Sequence, residues 1–333
     1  MIFLASRTLA RVLFHGAIMR SASARPLRPE DQANVTDASP TYRTGRAALA
    51  IVTAVLALSL GDAVIKATSL SLPLWQMFVL RSAMALPVLL WLARRRGAIA
   101  FGSIFWALVR SVLLVLMWLS YYMALPLMPL SLAAATYYTA PILITAIAAL
   151  LACRWPAPRA LLAIALGFGG VILVLRPDTS GFQIATLLPL LAAFLYACAM
   201  VLTWAKCRDA NPFALALALN VAFIIAGMIL GLFSGRDGSS VFGPWQSLNV
   251  TLIGITVALA VATLIGSVGA AIAYQNGPPA MVAALDYSYL VFSLIWAVLF
   301  FAERPDFLTL AGIVVIAGAG ILALPQREKA PKP

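Results

Sequence analysis

The sequence predicts an all-α polytopic membrane protein: ten transmembrane helices arranged as two five-helix repeats of inverted topology. Three observations point there: a composition poor in charge, ten evenly spaced apolar segments, and a likeness between the two halves of the chain. Of 333 residues, 63% are hydrophobic and only 10% are charged, against about half and about a quarter in an ordinary soluble domain. A single water-soluble globule is excluded. The formal net charge of +12 comes from basic residues scattered thinly between apolar runs, which suits a lipid bilayer with anionic headgroups and not nucleic acid. Cys153, Cys198 and Cys207 form no CxxC pair, and the one histidine, His15, lies in the N-terminal stretch. No disulfide framework, metal site, cofactor or intramembrane histidine relay is expected.

Residues 1–46 carry seven arginines and three acids. They read as a disordered or amphipathic cytoplasmic tail, with Met19 as an alternative start, because Arg7, Arg11 and His15 interrupt what would otherwise be a signal-peptide core. The ten apolar segments then run over residues 47–66, 73–92, 103–122, 130–152 and 159–176, and over 184–205, 212–233, 250–272, 280–301 and 307–325. Each is long enough to cross about 30 Å of hydrocarbon. Lipid offers the backbone no hydrogen bonds, so each must be helical. The connections hold the breakers that helix ends need: Leu72-Pro73, Pro126 to Pro129, Trp155 to Pro158, Asn211-Pro212 and Gly277 to Pro279. Residues 326–333 form a second short tail. Alternate connections differ in charge. One set holds the N-terminal tail, Arg94 to Arg96, Arg154, Arg159, Lys206, Arg208 and the C-terminal Arg327, Lys329 and Lys332, while the other has little beyond Arg176, Arg236 and Arg304. The positive set faces the cytoplasm by the usual bias, which places both termini inside a bacterial inner membrane.

Sliding the chain so that Pro129 falls on Pro279 also brings Ala133 and Ala134 onto Ala283 and Ala284, Tyr137 onto Tyr287, Arg154 onto Arg304 and Gly170 onto Gly320, without a gap. Pro73 before the second segment matches Pro212 before the seventh. The halves are thus 47–178 and 182–325, and an odd number of helices per half forces the second to enter the membrane from the opposite side. Two inverted halves that exchange conformations open a central site to each side in turn, so transport is the expected function and not enzymatic catalysis.

The segments GDAVIKATSLSLPLWQMFVLRSAMALP, RSVLLVLMWLSYYMALPLMPLSLAAATYYTAPILITAIAALLACRWPAPRALLAIALGFGGVILVLRP and PPAMVAALDYSYLVFSLIWAVLFFAERPDFLTLAGIVVIAGAGILAL resemble the EamA-type carriers of the drug/metabolite transporter superfamily, over essentially all of residues 47–325. Such proteins end their fourth and ninth helices with a Gly-Glu-Arg-like turn. Here the second half has Ala302-Glu303-Arg304 and the first Ala152-Cys153-Arg154, with Cys153 in place of the acid. The resemblance implies a small polar metabolite as substrate, such as an amino acid or derivative, a nucleoside or a vitamin, often exported, and a chain that works as monomer or homodimer.

Ionisable groups inside a bilayer cost a few kcal/mol or more, which makes them functional candidates. Arg81 lies about eight residues into the second segment, roughly 12 Å deep. Its fork would hold a substrate carboxylate or phosphate, or else pair internally with Asp62 or Asp286. Asp62 and Lys66 are spaced for a same-face ion pair, and the resemblance supports a polar cluster of Asp62, Lys66, Gln76 and Arg81 where the first two helices meet. Arg110 reads as a snorkelling or structurally paired cation before a substrate contact. Asp286 is the candidate for energy coupling, since a carboxyl group there can take and release a proton as the cavity changes sides, with internal pairing as the alternative. Helical spacing puts Tyr289 and Ser293 on one stripe with it. Tyr137 and Tyr138, with Tyr121 and Tyr122, supply aromatic walls and hydroxyls for an organic ligand, with interface anchoring as the alternative for Tyr121 and Tyr122.

Gly167-Phe168-Gly169-Gly170 lies in an apolar helix with no preceding strand, so it reads as helix packing and not a nucleotide loop; Gly227, Gly231, Gly312, Gly318 and Gly320 read alike. Two other classes stay open: a membrane enzyme acting on a lipid-linked substrate, which would want clustered acids or histidines near one interface, and a non-transporting assembly subunit.

Overall fold

A computed structural model describes residues 43–67, 72–95, 101–124, 127, 136–152, 156–175, 187–235, 242–302 and 307–323. Among these residues all regular structure is helical. In chain order the helices are α1 (Thr44–Ala67), α2 (Leu74–Arg95), α3 (Ile104–Ala124), α4 (Ala140–Ala152), α5 (Pro158–Leu175), α6 (Leu187–Lys206), α7 (Pro212–Gly231), α8 (Val250–Asn276), α9 (Pro279–Asp286), α10 (Ser288–Phe301) and α11 (Phe307–Ala323). Seven stretches among the described residues are long and apolar enough to cross a membrane, α9 and α10 counting as one, and α4, α5 and α11 hold shorter apolar stretches. The expected tails before residue 43 and after 323, the Cys153-Arg154 and Glu303-Arg304 turns and the side chain of Lys66 lie outside the described residues.

Local chemistry explains the boundaries. Pro212 starts α7 with Asn211 as its cap, the Asn211 carboxamide oxygen accepting from the Phe213 amide at 3.0 Å. Asn249 caps α8 in the same way through the Leu252 amide at 2.8 Å. Such caps satisfy amides that have no intrahelical partner. α8 runs one turn beyond the expected 250–272 because nothing stops it before Gly277 and Pro278. The fourth segment begins differently from expectation: Tyr138 and Thr139 form a turn, and α4 starts at Ala140 with Pro141 in its first turn, where the missing N–H breaks no helical hydrogen bond. The ninth segment is not continuous either. α9 stops at Asp286 and α10 begins at Ser288, joined through Tyr287, whose carbonyl accepts from the Leu290 amide in a tighter three-residue turn. No proline or glycine marks that break.

Helices from the two halves pack across each other. α1 lies against α8 and α10, α2 against α7 and α8, α3 against α6 and α7, α4 against α6 and α9, and α5 against α11. Replacing each segment by its counterpart five places along leaves this pattern unchanged: α1–α8 maps onto α6–α3, α1–α10 onto α6–α4, α2–α8 onto α7–α3, and α2–α7, α4–α9 and α5–α11 onto themselves. Small residues allow these crossings, as expected where lipid supplies no hydrophobic drive between helices. A side chain at Gly269 would meet the Ala50 carbonyl and Ala54 at 2.8 Å, one at Gly227 the Trp75 carbonyl at 2.8 Å, and one at Gly170 the Gly312 carbonyl at 2.8 Å. Gly169 and Gly318 face open space instead, so the packing role expected of the helical glycines falls on only some of them.

Candidate functional site

Asp62 of α1 and Arg81 of α2 meet at one cavity, which they line with Trp118 and Tyr122 of α3. Arg81 is 3% exposed. Its guanidinium carbon sits 4.6 Å from the Phe223 ring centroid, 4.9 Å from Phe78 and 5.7 Å from Trp118, a box of aromatic faces that favours a cation by its quadrupoles. The Arg81 guanidinium and the Tyr122 hydroxyl, both buried, are hydrogen-bond partners of each other. Asp62 is held from the other half of the chain, its Oδ2 accepting from the hydroxyl of Tyr289 on α10.

Asp286 stands at the C-terminal end of α9, where its Oδ2 accepts from the Tyr196 hydroxyl of α6 at 3.0 Å. Both intramembrane acids are thus tied by tyrosines. The rings between them form a continuous string, with Tyr289 to Tyr138 at 5.8 Å between centroids, Tyr138 to Tyr137 at 5.9 Å and Tyr137 to Tyr196 at 5.9 Å. Tyr121 joins it through Tyr137 at 5.2 Å. The turn at Tyr138 and Thr139 and the break at Tyr287 let two separate helical segments present these rings inward. Tyr287 itself lies over Gly167 of α5, where an added side chain would run into its ring.

The expected stripe of Asp286, Tyr289 and Ser293 does not form: the break at Tyr287 turns Tyr289 to Asp62, and the Ser293 hydroxyl donates to the Leu290 carbonyl of its own helix at 3.0 Å. Gln76 is fully buried, donating to the Gln246 carbonyl at 2.8 Å and accepting from the Gln246 amide at 2.9 Å, so both ends of its carboxamide hold the connection between α7 and α8. Arg110 does not snorkel. It is buried, and its Nε donates to the Thr203 hydroxyl of α6 at 2.7 Å while that hydroxyl donates to the Ala199 carbonyl. Tyr196, Trp118, Phe223 and Thr203 were not picked out by sequence reasoning; the available signal was only that Tyr196 and Thr203 put polar groups within apolar α6. Among the described residues no group of three or more His, Cys, Asp or Glu side chains is placed to hold a metal ion.

The EamA-like transporter family matches the chain twice in tandem, over residues 45–176 and 183–324. The chain belongs to the EamA-like transporter family. Among curated proteins, this EamA-like transporter is similar to the pseudopaline exporter CntI of Pseudomonas aeruginosa strain UCBPP-PA14, with 28% identity over 284 residues that span 84% of the chain and 96% of the exporter. It is also similar to a riboflavin transporter of Brucella anthropi, with 25% identity over 169 residues, 51% of the chain and 58% of that protein. A solved crystal structure superposes with a TM-score of 0.73 at 18% identity, covering 84% of the chain and 96% of that structure, which shows the fold. The family and its named relatives are transporters and not enzymes.

Proposed function

We propose that this EamA-like chain is a secondary active transporter of the inner membrane, exporting a small polar organic metabolite by alternating access and drawing on a proton gradient. The observation that carries the reading is the joint site: Asp62 and Arg81 in the first half line one cavity with Leu259, Ala262 and Thr263 of the second, and a string of tyrosines links Asp62, through Tyr289, to Tyr196 and Asp286. Charged groups are retained in such a place only for a task that repays their desolvation. The proposed architecture is ten helices in two inverted repeats, 47–178 and 182–325, with both termini cytoplasmic. Its support is the neighbour pattern of the helices and the tandem family match. Export rather than import, and a small organic cargo, draw on the named relatives, an exporter and a vitamin transporter.

Asp286 is the proposed proton-coupling residue, and Arg81, Asp62, Tyr137 and Tyr138 are the proposed cargo contacts. Lys66 is retained as a neighbour of Asp62 one helical turn on; Gln76, Arg110 and Ser293 support the framework. The test is counterflow in proteoliposomes loaded with pooled unlabelled amino acids, nucleosides and vitamins including riboflavin, scored for accumulation of each labelled member with and without a pH gradient. Saturable counterflow of one member supports the carrier reading; product formation without movement, or a stoichiometric partner needed for any activity, sinks it.

A further inference from the structure

The crossing of α2 and α7 carries two buried polar groups without a partner among the described residues. The helices run antiparallel there: Trp75 lies against Gly227 and Gly231, Phe78 meets Phe223 at 4.9 Å between ring centroids, and the Arg81 guanidinium carbon is 4.6 Å from the same Phe223 ring. Further along the crossing, Ala85 and Ala216 belong to one buried cluster. Between these contacts stand Ser82 on α2 and Asn220 on α7, both fully buried. The Asn220 side-chain nitrogen donates to the Ala216 carbonyl of its own helix at 2.9 Å, which leaves its oxygen without a donor; the Ser82 hydroxyl has no partner either. Leaving a buried donor or acceptor unpaired costs more than a typical hydrogen bond contributes. A complementary pair kept at one seam therefore points to a second arrangement in which the two meet.

In the arrangement described here, the end of the crossing where α2 begins is tied by Gln76, through two bonds to the Gln246 backbone, and by the Trp75 indole on the Gly243 carbonyl. The match of Pro73 with Pro212 puts Leu215 where Gln76 would recur in the second half, and Asn220 where Arg81 would recur. Leu215 has no amide and is buried in one cluster with Ala107, Ala210 and Ala271 at the opposite rim. One rim is thus closed by hydrogen bonds and the other by apolar packing, and the residue equivalent to Gln76 cannot replace its bonds when they part. Gly227 and Gly231 present bare backbone to Trp75, so no side chain of α7 blocks a shift of α2 along it at that point. We propose that α2 and α7 form a two-position slide. In the position described, Gln76 and Trp75 hold the first rim shut while Ser82 and Asn220 stand apart. In the other, that rim opens and the Ser82 hydroxyl donates to the Asn220 carboxamide oxygen, which offsets bonds given up at the rim. The exchange keeps the two positions close in free energy, as a molecule that populates both requires. It goes beyond the transporter reading, because it concerns the two states of the fold whatever solute they serve.

The experiment reads the first rim with Leu72→Cys, a position 7% exposed just before α2, in the full-length chain carrying Cys153→Ala, Cys198→Ala and Cys207→Ala. The rate of maleimide labelling is measured in open membrane fragments, where both sides are accessible. Gln76→Leu is expected to speed labelling about tenfold through loss of the rim bonds. Adding Ser82→Ala or Asn220→Leu is expected to slow it again by about tenfold, and adding both does no more than adding one, as for two partners in a single bond. Damage to the fold would speed labelling, so slowing is not produced by misfolding. With Gln76 intact, Ser82→Ala and Asn220→Leu leave labelling slow and do not lower the melting temperature in detergent, since each removes an unpaired buried group. Labelling indifferent to Gln76→Leu overturns the slide. So does an acceleration that survives both Ser82→Ala and Asn220→Leu, or a melting temperature lowered by Asn220→Leu with Gln76 intact. No solute enters these measurements: failed counterflow of every solute beside the expected labelling removes the carrier and leaves the slide, whereas counterflow beside indifferent labelling does the reverse.

Discussion

At the scale of single residues, the two acids are expected to separate in function. Asp286→Asn removes a titratable proton site while keeping the side chain able to accept from Tyr196. Accumulation driven by a pH gradient should therefore collapse while counterflow, which needs no net proton movement, persists; loss of both would assign Asp286 to cargo binding instead. Arg110 has a structural expectation: Thr203→Val leaves its Nε without the 2.7 Å acceptor and should lower stability by about 1.5–3 kcal/mol, with Thr203→Ser restoring it, as read by thermal melting in detergent. The charged members of the site were legible in the sequence, because Asp62, Arg81 and Asp286 each interrupt an apolar run. Their partners were not. Tyr289 lies three residues beyond Asp286, and helical spacing assigns it there; only the break at Tyr287, unmarked by glycine or proline, sends it to Asp62 in the other half.

At the scale of helices, the close crossing of α5 and α11 is sensitive to volume. Gly170→Leu drives a side chain into the Gly312 carbonyl and Ile316 and should cost about 1–3 kcal/mol, whereas Gly169→Ala, facing open space one residue away, should be neutral or raise stability by up to about 1 kcal/mol through helix propensity. Parallel melting curves of the two variants decide the matter, and equal losses would mean the crossing is not where α5 bears its packing. Sequence alone could not tell these glycines apart, since both lie in GFGG and only their helical phase against α11 differs. The end of α10 was more readable. Ala302 has φ of 52°, the left-handed conformation that costs an L-residue about 1–2 kcal/mol and glycine nothing. The Gly-Glu-Arg-like turn of similar carriers has glycine at that position, and Ala302→Gly should raise the melting temperature.

At the scale of the whole molecule, the charge bias fixes an expected orientation that two exposed positions can test. Asp209 precedes α7 and Ser234 follows it, both exposed. In intact cells a membrane-impermeant maleimide should label Ser234→Cys and spare Asp209→Cys until the cells are opened; the opposite pattern would invert the assignment. The existence and order of the long helices followed from hydropathy, because about 20 apolar residues have few other fates in a bilayer. The lateral arrangement did not. Which helix lies beside which depends on shape at crossings such as Gly269 against Ala50, and no single segment records its neighbour.

The double hydrogen bond between Gln76 and Gln246 has a mechanical meaning. It copies the pairing of two backbone strands, and the Trp75 indole adds a third bond to the Gly243 carbonyl at 3.0 Å, with Trp75 and Trp245 in ring contact. The stretch before α8 is therefore fastened to α2 just over one helical turn from Arg81. A displacement of this stretch is carried directly to α2, the helix that bears Arg81, so that the two form a single lever.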